Sequence, residues 1–453
     1  MALTLTTPAE LKAAAAAPSK AKERLTYLFD DGKYTELDAL SSGRELCSVI
    51  CAYGKVGGSP CYAFSQDVSR NLGALGITEA VKLVRMLGLA ASTGLPVVGI
   101  YDSCGADLTN GHAALTTYGM LLEKMSNLSG VVPQIAVIAG VCSGTGALLA
   151  ESADIAIIAE DGELYGTPGT DGSADNTVKN GTAAIKAADD KAAVEAAKAL
   201  VTKLPLNNLS PAPVYEYELP TAASGTDAAS LAESVFDGGS VTELYAEFGK
   251  AAYTALASME GATVGVAATN KTAGKLSSED CSKLARFVRF CDCFSIPVVT
   301  FVDTEGFEDC GEGAVKGMAK VAHAYAEATT AKLSVVTGKV HGAAFIALAG
   351  RGANADMTFA LDSAKITALA PETAAEFLYH DELKGVSDTK AKRGELADKY
   401  VNEEGDAYLA AASGCVDTVV TAASLRAELT AALEQLSGKR VSRSPKKHGN
   451  IQL

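Results

Sequence analysis

One element of the sequence occurs twice, and this repeat constrains the fold of the chain more than any other feature. The segment 82–103 returns as the segment 283–304, and each matched residue lies 201 positions later (303 minus 102). Both copies pass through Pro-Val-Val and reach an aspartate, Asp102 or Asp303, that is followed by a hydroxyl residue. A chain of 453 residues is too long for one hydrophobic core. The repeat therefore predicts two domains with the same fold.

Strand-like and helical patterns alternate along the first copy, and the second copy keeps their order. The predicted strands of the first copy are 48–53, 61–65, 97–101, 135–138 and 155–158, and its predicted helices are 79–93, 111–128 and 145–152. This alternation predicts the α/β class, in which the strands deliver their loops to a common edge of a sheet. The Pro-, Asn- and Ser-rich segment 204–228 lacks periodicity, so we expect domains at 1–215 and 229–453. The polar, Gly-containing stretch 169–183 is predicted to be a surface loop.

The charge and composition of the chain exclude several classes of function. Its net charge is −15, so the basic face that nucleic-acid binding requires is not expected. No run of 18 apolar residues predicts a transmembrane helix, and the first residues do not resemble a signal peptide. The ten cysteines include no Cys-x-x-Cys pair, which argues for reduced thiols and against a zinc ribbon. We therefore expect a cytoplasmic protein with no metal site and no nucleic-acid partner.

Each copy contains a glycine turn between an apolar strand and a helix. The first turn is Gly144-Thr145 and the second is Gly342-Ala343. Small residues at the start of a helix leave unpaired backbone N–H groups exposed, and these groups together with the helix dipole favour a developing negative charge. The four residues are therefore candidate catalytic residues that bind an oxyanion. Alternatively, the two glycines only allow a helix to pack closely on its strand.

Other catalytic patterns fit the sequence poorly. Ser143 lacks the Gly-x-Ser-x-Gly context of a nucleophile elbow, no phosphate-binding P-loop is present, and the glycines near 144 do not complete a dinucleotide fingerprint. His341 lies directly before the second turn, where it is either a loop histidine or a group that donates a hydrogen bond or a proton. The remaining histidines do not have the spacing of metal ligands.

Eight short motifs, in order along the chain, carry a family resemblance. They are Leu28–Glu36, Ser65–Asp67, Asp102–Ala106, Ser129–Gln134, Gly140–Gly144, Asp303–Phe307, His341–Ala344 and Lys446–Leu453. Through this series the chain resembles the carboxyltransferase subunits of biotin-dependent enzymes, which belong to the crotonase superfamily. These are the propionyl-CoA carboxylase beta type and the alpha subunits of sodium-pumping methylmalonyl-CoA and glutaconyl-CoA decarboxylases.

The resemblance implies a fold and a division of roles between the domains. Each domain is expected to be a crotonase domain, a ββα superhelix, with acyl-CoA bound by the N-terminal domain and biotin by the C-terminal one. The site is expected to lie between the N-terminal domain of one subunit and the C-terminal domain of its dimer partner. The amides of Gly144 and Thr145 would then hold the thioester enolate oxygen, and those of Gly342 and Ala343 the ureido oxygen of biotin. The residues implied in binding CoA, the acyl group or biotin are Ser103, Gly105, Ala106, Cys142, Ser143, Gly306, Phe307 and His341.

The resemblance also implies partners, because this sequence has neither a biotinylation motif nor an ATP-grasp element. It implies a separate biotin carboxyl carrier protein, together with a biotin carboxylase or a membrane sodium-pump decarboxylase subunit. In the second case the protein would be a peripheral component at the membrane. A homodimer or a homohexamer, built as a trimer of dimers, is expected.

Two departures from the family's pattern bear on the substrate. Asp107 stands where the family has an arginine, and Lys316 replaces an arginine in the second domain. The sequence identifies neither the direction of transfer nor the acyl pair, which is propionyl and methylmalonyl, acetyl and malonyl, or crotonyl and glutaconyl. Two alternatives stay open: a crotonase-type enzyme or CoA-ester decarboxylase that uses no biotin, and an inactive scaffold that retains the fold.

Overall fold

The structure, a computed structural model, describes residues 7–41, 46–221, 227–308, 313–442, 444–447 and 449–450. Residues 451–453, which end the C-terminal motif, lie outside these ranges. The chain divides into two compact units, residues 1–213 and 214–453. Each unit has its own sheet of mixed parallel and antiparallel strands, so the predicted α/β class, with the fold present twice, is confirmed. None of the described helices is both long enough and apolar enough to cross a membrane.

The first unit is built on one sheet whose parallel part carries the predicted loops. Its elements are α1 Pro8–Ala16, α2 Lys20–Leu28, β1 Tyr34–Leu37, β2 Val49–Val56, β3 Ser59–Gln66, α3 Ile77–Thr93, β4 Val97–Ser103, α4 Ala113–Leu128, β5 Gln134–Ser143, α5 Thr145–Glu151, β6 Ile155–Ala159, β7 Glu163–Tyr165, α6 Ala174–Lys179, β8 Ile185–Ala187 and α7 Asp190–Lys203. The strand order is β1-β2-β3-β4-β5-β6-β8, and β7 pairs with β5. Strands β1 to β3 are antiparallel, and the pairs from β3 onward are parallel. The carboxyl ends of β3, β4 and β5 therefore meet at one edge of the sheet.

Helix α3 covers the first sheet with an apolar face and leads the chain into β4. Its buried side chains include Leu83, Met86 and Leu87. The helix begins after Gly76, whose N–H donates to the carboxylate of Glu79 (3.1 Å). Parallel strands are buried on both faces because helices cover the sheet. Strand β5 is therefore mostly apolar along its length, without alternating polar residues.

The second unit repeats this order and adds a helical insertion before its last strand. Its elements are α8 Ala228–Val235, β9 Thr242–Leu244, β10 Ala252–Met259, β11 Ala262–Thr269, α9 Ser278–Cys293, β12 Val298–Val302, α10 Ala314–Glu327, β13 Lys332–Val336, β14 Lys339–His341, α11 Gly342–Leu348, β15 Met357–Leu361, β16 Lys365–Thr367, α12 Pro371–Leu378, α13 His380–Leu383, α14 Thr389–Glu404, α15 Ala407–Ala412, β17 Thr418–Val420 and α16 Leu425–Leu436. The main sheet has the order β17-β15-β13-β12-β11-β10-β9, and β14 pairs with β16 separately. Strands β11, β12, β13 and β15 are parallel neighbours, so their carboxyl ends also share one edge.

The prediction that residues 169–183 form a surface loop is wrong in part, because this segment contains the short helix α6. The hydroxyl of Ser173 accepts the N–H of Asn176 (3.4 Å) and caps the start of the helix. Thr177 and Val178 then turn inward and are buried. The helix is only six residues long, so its apolar face is too short to produce a recognisable period in the sequence.

A buried lysine holds the chain between β9 and β10 in the second unit. Lys283 on α9 is 4% exposed, and its Nζ donates to the carbonyl oxygens of Tyr245 (2.8 Å) and Ala252 (2.7 Å), among others. Burial lowers the pKa of this amine to about 8. Its counterpart in the repeat, Lys82, is instead paired with the carboxylate of Glu36 (3.2 Å). The same repeated position is therefore bonded to a carboxylate in one unit, whereas backbone oxygens accept its hydrogen bonds in the other.

We expect Lys283 to make the stability of the second unit rise with pH above pH 8. The folded-state pKa of about 8 lies below the ordinary value of 10.5, so between these values the unfolded chain binds more protons than the folded chain. Relative to Lys283→Met, the unfolding free energy of the wild type should increase by about 2 kcal/mol from about pH 8 to about pH 10. Urea unfolding at the two pH values measures this difference.

The control for this comparison is Lys250→Met, which removes an exposed lysine from the same connection (side chain 64% exposed). Its unfolding free energy relative to the wild type should be independent of pH over the same range. Equal pH dependence in the two comparisons would contradict the role assigned to Lys283.

Candidate functional site

Two segments of the first unit meet at the edge of its sheet: the first loop, Ser103–Asp107, and the first turn, Ser143–Thr145. Ser103 and Cys142 are neighbours in the register of β4 and β5. The hydroxyl of Ser143 donates to the carbonyl oxygen of Cys104 (3.3 Å). A Cβ placed on Gly105 would lie 3.6 Å from the Oγ of Ser143. The structure therefore brings the predicted residues of these two segments together.

The first loop is held in a shape that turns one of its amides outward. The N–H of Gly105 donates to the Oγ of Ser103 (3.0 Å). Leu75 donates to the carbonyl of Gly105 and accepts the N–H of Asp107, both at 2.9 Å. In a parallel bridge of this kind, the residue between the two bonded ones directs its own N–H to the opposite side. The amide of Ala106 therefore points away from Leu75.

The first turn contains two amides with different surroundings. Gly144 has φ 59° and ψ −126°, a conformation open to glycine, and its N–H donates to the carbonyl oxygen of Tyr165 (2.9 Å). Thr145 is exposed and is the first residue of α5, so its N–H has no acceptor within the helix. The predicted pair of donors, Gly144 and Thr145, is thus reduced to Thr145, and Ala106 is the second outward amide of this unit.

Cys142 lies beneath the first turn rather than on its surface. Its side chain is 1% exposed, and burial raises the pKa of its thiol to about 12. A Cβ on Gly146 would lie 3.8 Å from its sulfur. The residue is therefore a neutral thiol that supports the start of α5, and a nucleophilic thiolate is not expected here.

Behind the first loop lies a buried ion-pair cluster that sequence reasoning missed. The guanidinium of Arg24 donates to Asp102 (2.7 Å), to Asp190 (2.9 Å) and to the carbonyl of Ala139 (3.0 Å). A Cβ on Gly140 would lie 2.2 Å from the Asp102 carboxylate, so glycine is required at this position for the carboxylate to fit. The cluster fastens the end of β4 to β5, which sets the position of the first loop. Asp102 was visible in the repeat, but nothing in the sequence marks Arg24 as its partner.

The second unit has a loop that corresponds to the first loop; this second loop is Thr304–Glu308. The N–H of Gly306 donates to the Oγ1 of Thr304 (3.1 Å). Leu276 donates to the carbonyl of Gly306 and accepts the N–H of Glu308, both at 2.9 Å. Phe307, which lies between them, takes the position of Ala106 and directs its amide outward in the same way.

The second turn, His341–Ala343, repeats the first turn with one different side chain. Gly342 begins α11 with φ 47°, and Ala343 is exposed. His341 takes the position of Ser143, and a Cβ on Gly306 would lie 3.4 Å from its Nε2. Burial lowers the pKa of His341 below its ordinary value of 6.5. The predicted residues Gly306, Phe307, His341, Gly342 and Ala343 are thus brought to one place in this unit.

The two units present the same arrangement of backbone donors. Each has one outward amide on a loop and one in the turn that starts a helix, and each loop and each turn contains a glycine. Donors of this kind stabilise an oxyanion on a planar acyl or ureido group without a side-chain nucleophile. The fold and the two matched sites together define a tandem-repeat α/β enzyme with one candidate oxyanion site in each unit.

Residues 19–451 match the carboxyl transferase domain, and the chain belongs to that family. The alpha subunit of methylmalonyl-CoA decarboxylase from Propionigenium modestum is 32% identical, over 96% of this chain and 93% of its own length. The 12S subunit of methylmalonyl-CoA carboxyltransferase from Propionibacterium freudenreichii subsp. shermanii is 33% identical, over 95% of this chain and 91% of its own. The family resemblance that the eight motifs predict is confirmed.

A solved structure supports the same conclusion for the fold. Transcarboxylase 12S, described as a hexamer assembly with hydrolysed methylmalonyl-coenzyme A bound, superposes with a TM-score of 0.89. It is 31% identical and is matched over 98% of this chain and 94% of its own. The prediction of two tandem crotonase-type domains is therefore confirmed.

Proposed function

We propose that this carboxyl transferase moves a carboxyl group between biotin, carried on a separate protein, and the α carbon of an acyl-CoA. The observation that carries the proposal is the pair of matched sites, one in each unit, with outward loop and turn amides. Such a transfer requires that two oxyanions be held, the thioester enolate and the ureido oxygen of biotin. The relatives named for methylmalonyl-CoA transfer and decarboxylation support this chemistry.

The first unit is proposed to hold the acyl-CoA. The amides of Thr145 and Ala106 would donate to the thioester oxygen as it gains negative charge in the enolate. Gly105 and Gly144 leave room for a planar acyl group to approach the backbone. Because the N–H of Thr145 is not used within α5, no helical bond has to break when the ligand arrives. Each donor of this kind lowers the barrier by about 3–4 kcal/mol.

The second unit is proposed to hold biotin. The amides of Ala343 and Phe307 would donate to the ureido oxygen, and Gly306 and Gly342 would let the ligand approach the backbone because neither has a side chain. When bound, biotin supplies the carboxyl group and accepts the α proton. The chain itself therefore needs to bind and orient the two ligands, and it needs no side-chain base.

The proposed transfer requires partner proteins. A biotin carboxyl carrier protein is required, together with a biotin carboxylase or a membrane decarboxylase subunit, according to the direction of transfer. We propose a cytoplasmic protein that is peripheral to the membrane in the second case. A homodimer or homohexamer, with each site completed by the partner subunit, stays a prediction that the hexameric transcarboxylase 12S supports.

Release of CO2 from malonyl-CoA, methylmalonyl-CoA and glutaconyl-CoA, each with and without free biotin, tests the proposed function. We expect release from one of the three that depends on biotin, which would also identify the acyl group. Release without biotin would assign the chain to the crotonase-type decarboxylases. A protein that binds the CoA esters and releases no CO2 from any of them would be an inactive scaffold, and either result would overturn the proposal.

A further inference from the structure

The two units differ in the side chain that precedes each turn glycine. In the first unit the hydroxyl of Ser143 is already bonded to the carbonyl of Cys104 (3.3 Å). In the second unit, within the part of the chain that the structure describes, neither ring nitrogen of His341 has a hydrogen-bond partner. Its Nε2 lies against the second loop, 3.4 Å from the point where Gly306 would have a Cβ. The imidazole therefore stands between loop and turn with both nitrogens free to bond a ligand.

We infer that His341 is a ligand-contacting residue of the second unit, where its neutral imidazole donates a hydrogen bond to the oxygen held by the second turn. The inference rests on the proposed function, in which that oxygen is the ureido oxygen of biotin. A neutral imidazole polarises an oxygen without giving up its proton, whereas an imidazolium would protonate the basic ligand and remove its reactivity. The second unit's half of the reaction should therefore require unprotonated His341, and the first unit's half should not.

The surroundings of His341 favour the neutral form near pH 7. Burial lowers its pKa below 6.5, Lys275 acts in the same direction, and Glu305 opposes both. The other charged groups on the packed elements form pairs with one another or are exposed. They are Lys271 with Asp303 (3.5 Å), Lys365 with Asp406 (3.8 Å), and the exposed Lys339 and Glu308.

The pH dependence of biotin-dependent CO2 release tests the inference. In the wild type, kcat should fall as the pH drops below the pKa of His341. His341→Gln places an amide N–H near the position of Nε2 but cannot titrate, so it should retain most of kcat and lose this acidic limb. His341→Ala lacks the donor, and its kcat should be about 100-fold lower. Ser143→Ala should keep the acidic limb, and a limb that persists in His341→Gln would overturn the inference.

A second measurement is independent of turnover. The rate at which diethyl pyrocarbonate modifies each histidine, measured against pH by peptide mass spectrometry, reports the pKa of that histidine. We expect the pKa of His341 to lie below 6.5. Free biotin should slow modification of His341 and leave the exposed His112 in the first unit unaffected. Protection of His341 in a protein that releases no CO2 would support this binding role while overturning the proposed function. Biotin-dependent CO2 release without protection of His341 would support the proposed function and overturn the binding role of His341.

Discussion

Thr145→Pro should reduce kcat for biotin-dependent CO2 release by about 100- to 1,000-fold, with little change in the KM for the acyl-CoA. Proline lacks the N–H that the first turn is proposed to offer to the enolate oxygen, and a donor in that role acts on charge that develops only in the transition state. The helix itself should survive, because proline is well tolerated as the first residue of a helix. The residue before a proline is restricted to an extended conformation. Gly144, at φ 59° and ψ −126°, has the mirror image of that conformation, which glycine adopts freely, so it can precede a proline without strain.

Thr145→Ala separates the amide from the side chain. It retains the N–H and removes the hydroxyl, so its loss of kcat should be far smaller than that of the proline variant. Steady-state kinetics of both variants, with circular dichroism to check helix content, complete the comparison. If alanine costs as much as proline, the hydroxyl rather than the amide is the important group, and the assignment of Thr145 as an oxyanion donor is wrong.

Arg24→Met should lower the unfolding free energy of the first unit by about 3–5 kcal/mol. The Arg24 side chain is 5% exposed, and its removal leaves Asp102 without its cation and Asp190 with only the exposed Lys20 (3.5 Å). Two poorly solvated carboxylates cost much more than the lost contacts alone. Urea unfolding of the full chain, followed by a probe in the first unit, measures the effect.

A second arginine–aspartate pair in the same unit provides the control. Arg85 pairs with Asp38, but its side chain is 55% exposed. Arg85→Met should therefore change the unfolding free energy by less than about 1 kcal/mol, because water screens an exposed pair. Similar losses in the two variants would show that the Arg24 cluster contributes no more than a surface ion pair.

The repeat and the fold could be predicted from the sequence because the features that define them are local. Pro96 and Pro297 stand directly before β4 and β12, and each strand begins with a mostly apolar stretch, 97–101 in β4 and 298–302 in β12. A buried parallel strand requires such a run whatever surrounds it. The turns at Gly144 and Gly342 could be located for the same reason, since small residues between a strand and a helix are a local pattern.

The outward amides of the loops, and the loss of Gly144 as a donor, could not be identified in the same way, because they depend on partners far along the chain. The N–H of Gly144 is bonded to Tyr165, and only the paired strands β5 and β7 bring these residues together. Likewise, Ala106 is turned outward by Leu75, which belongs to a different connection of the sheet. No periodicity in the sequence records these contacts, since each is a consequence of tertiary packing.

The hydrogen bonds behind the two loops differ in the sequence separation of the residues that they join. In the first unit Arg24 reaches Asp190 across a separation of 166 residues, whereas in the second unit the backbone N–H of Lys339 reaches Asp303 across 36. Contacts between distant residues form late and slow folding, since a long loop has to close first. During synthesis the Arg24 cluster behind the first loop is complete only after Asp190, at the start of α7, has left the ribosome, whereas the contact behind the second loop needs only residues close to it in the sequence. The half of the protein that is made first is therefore completed by its last helix.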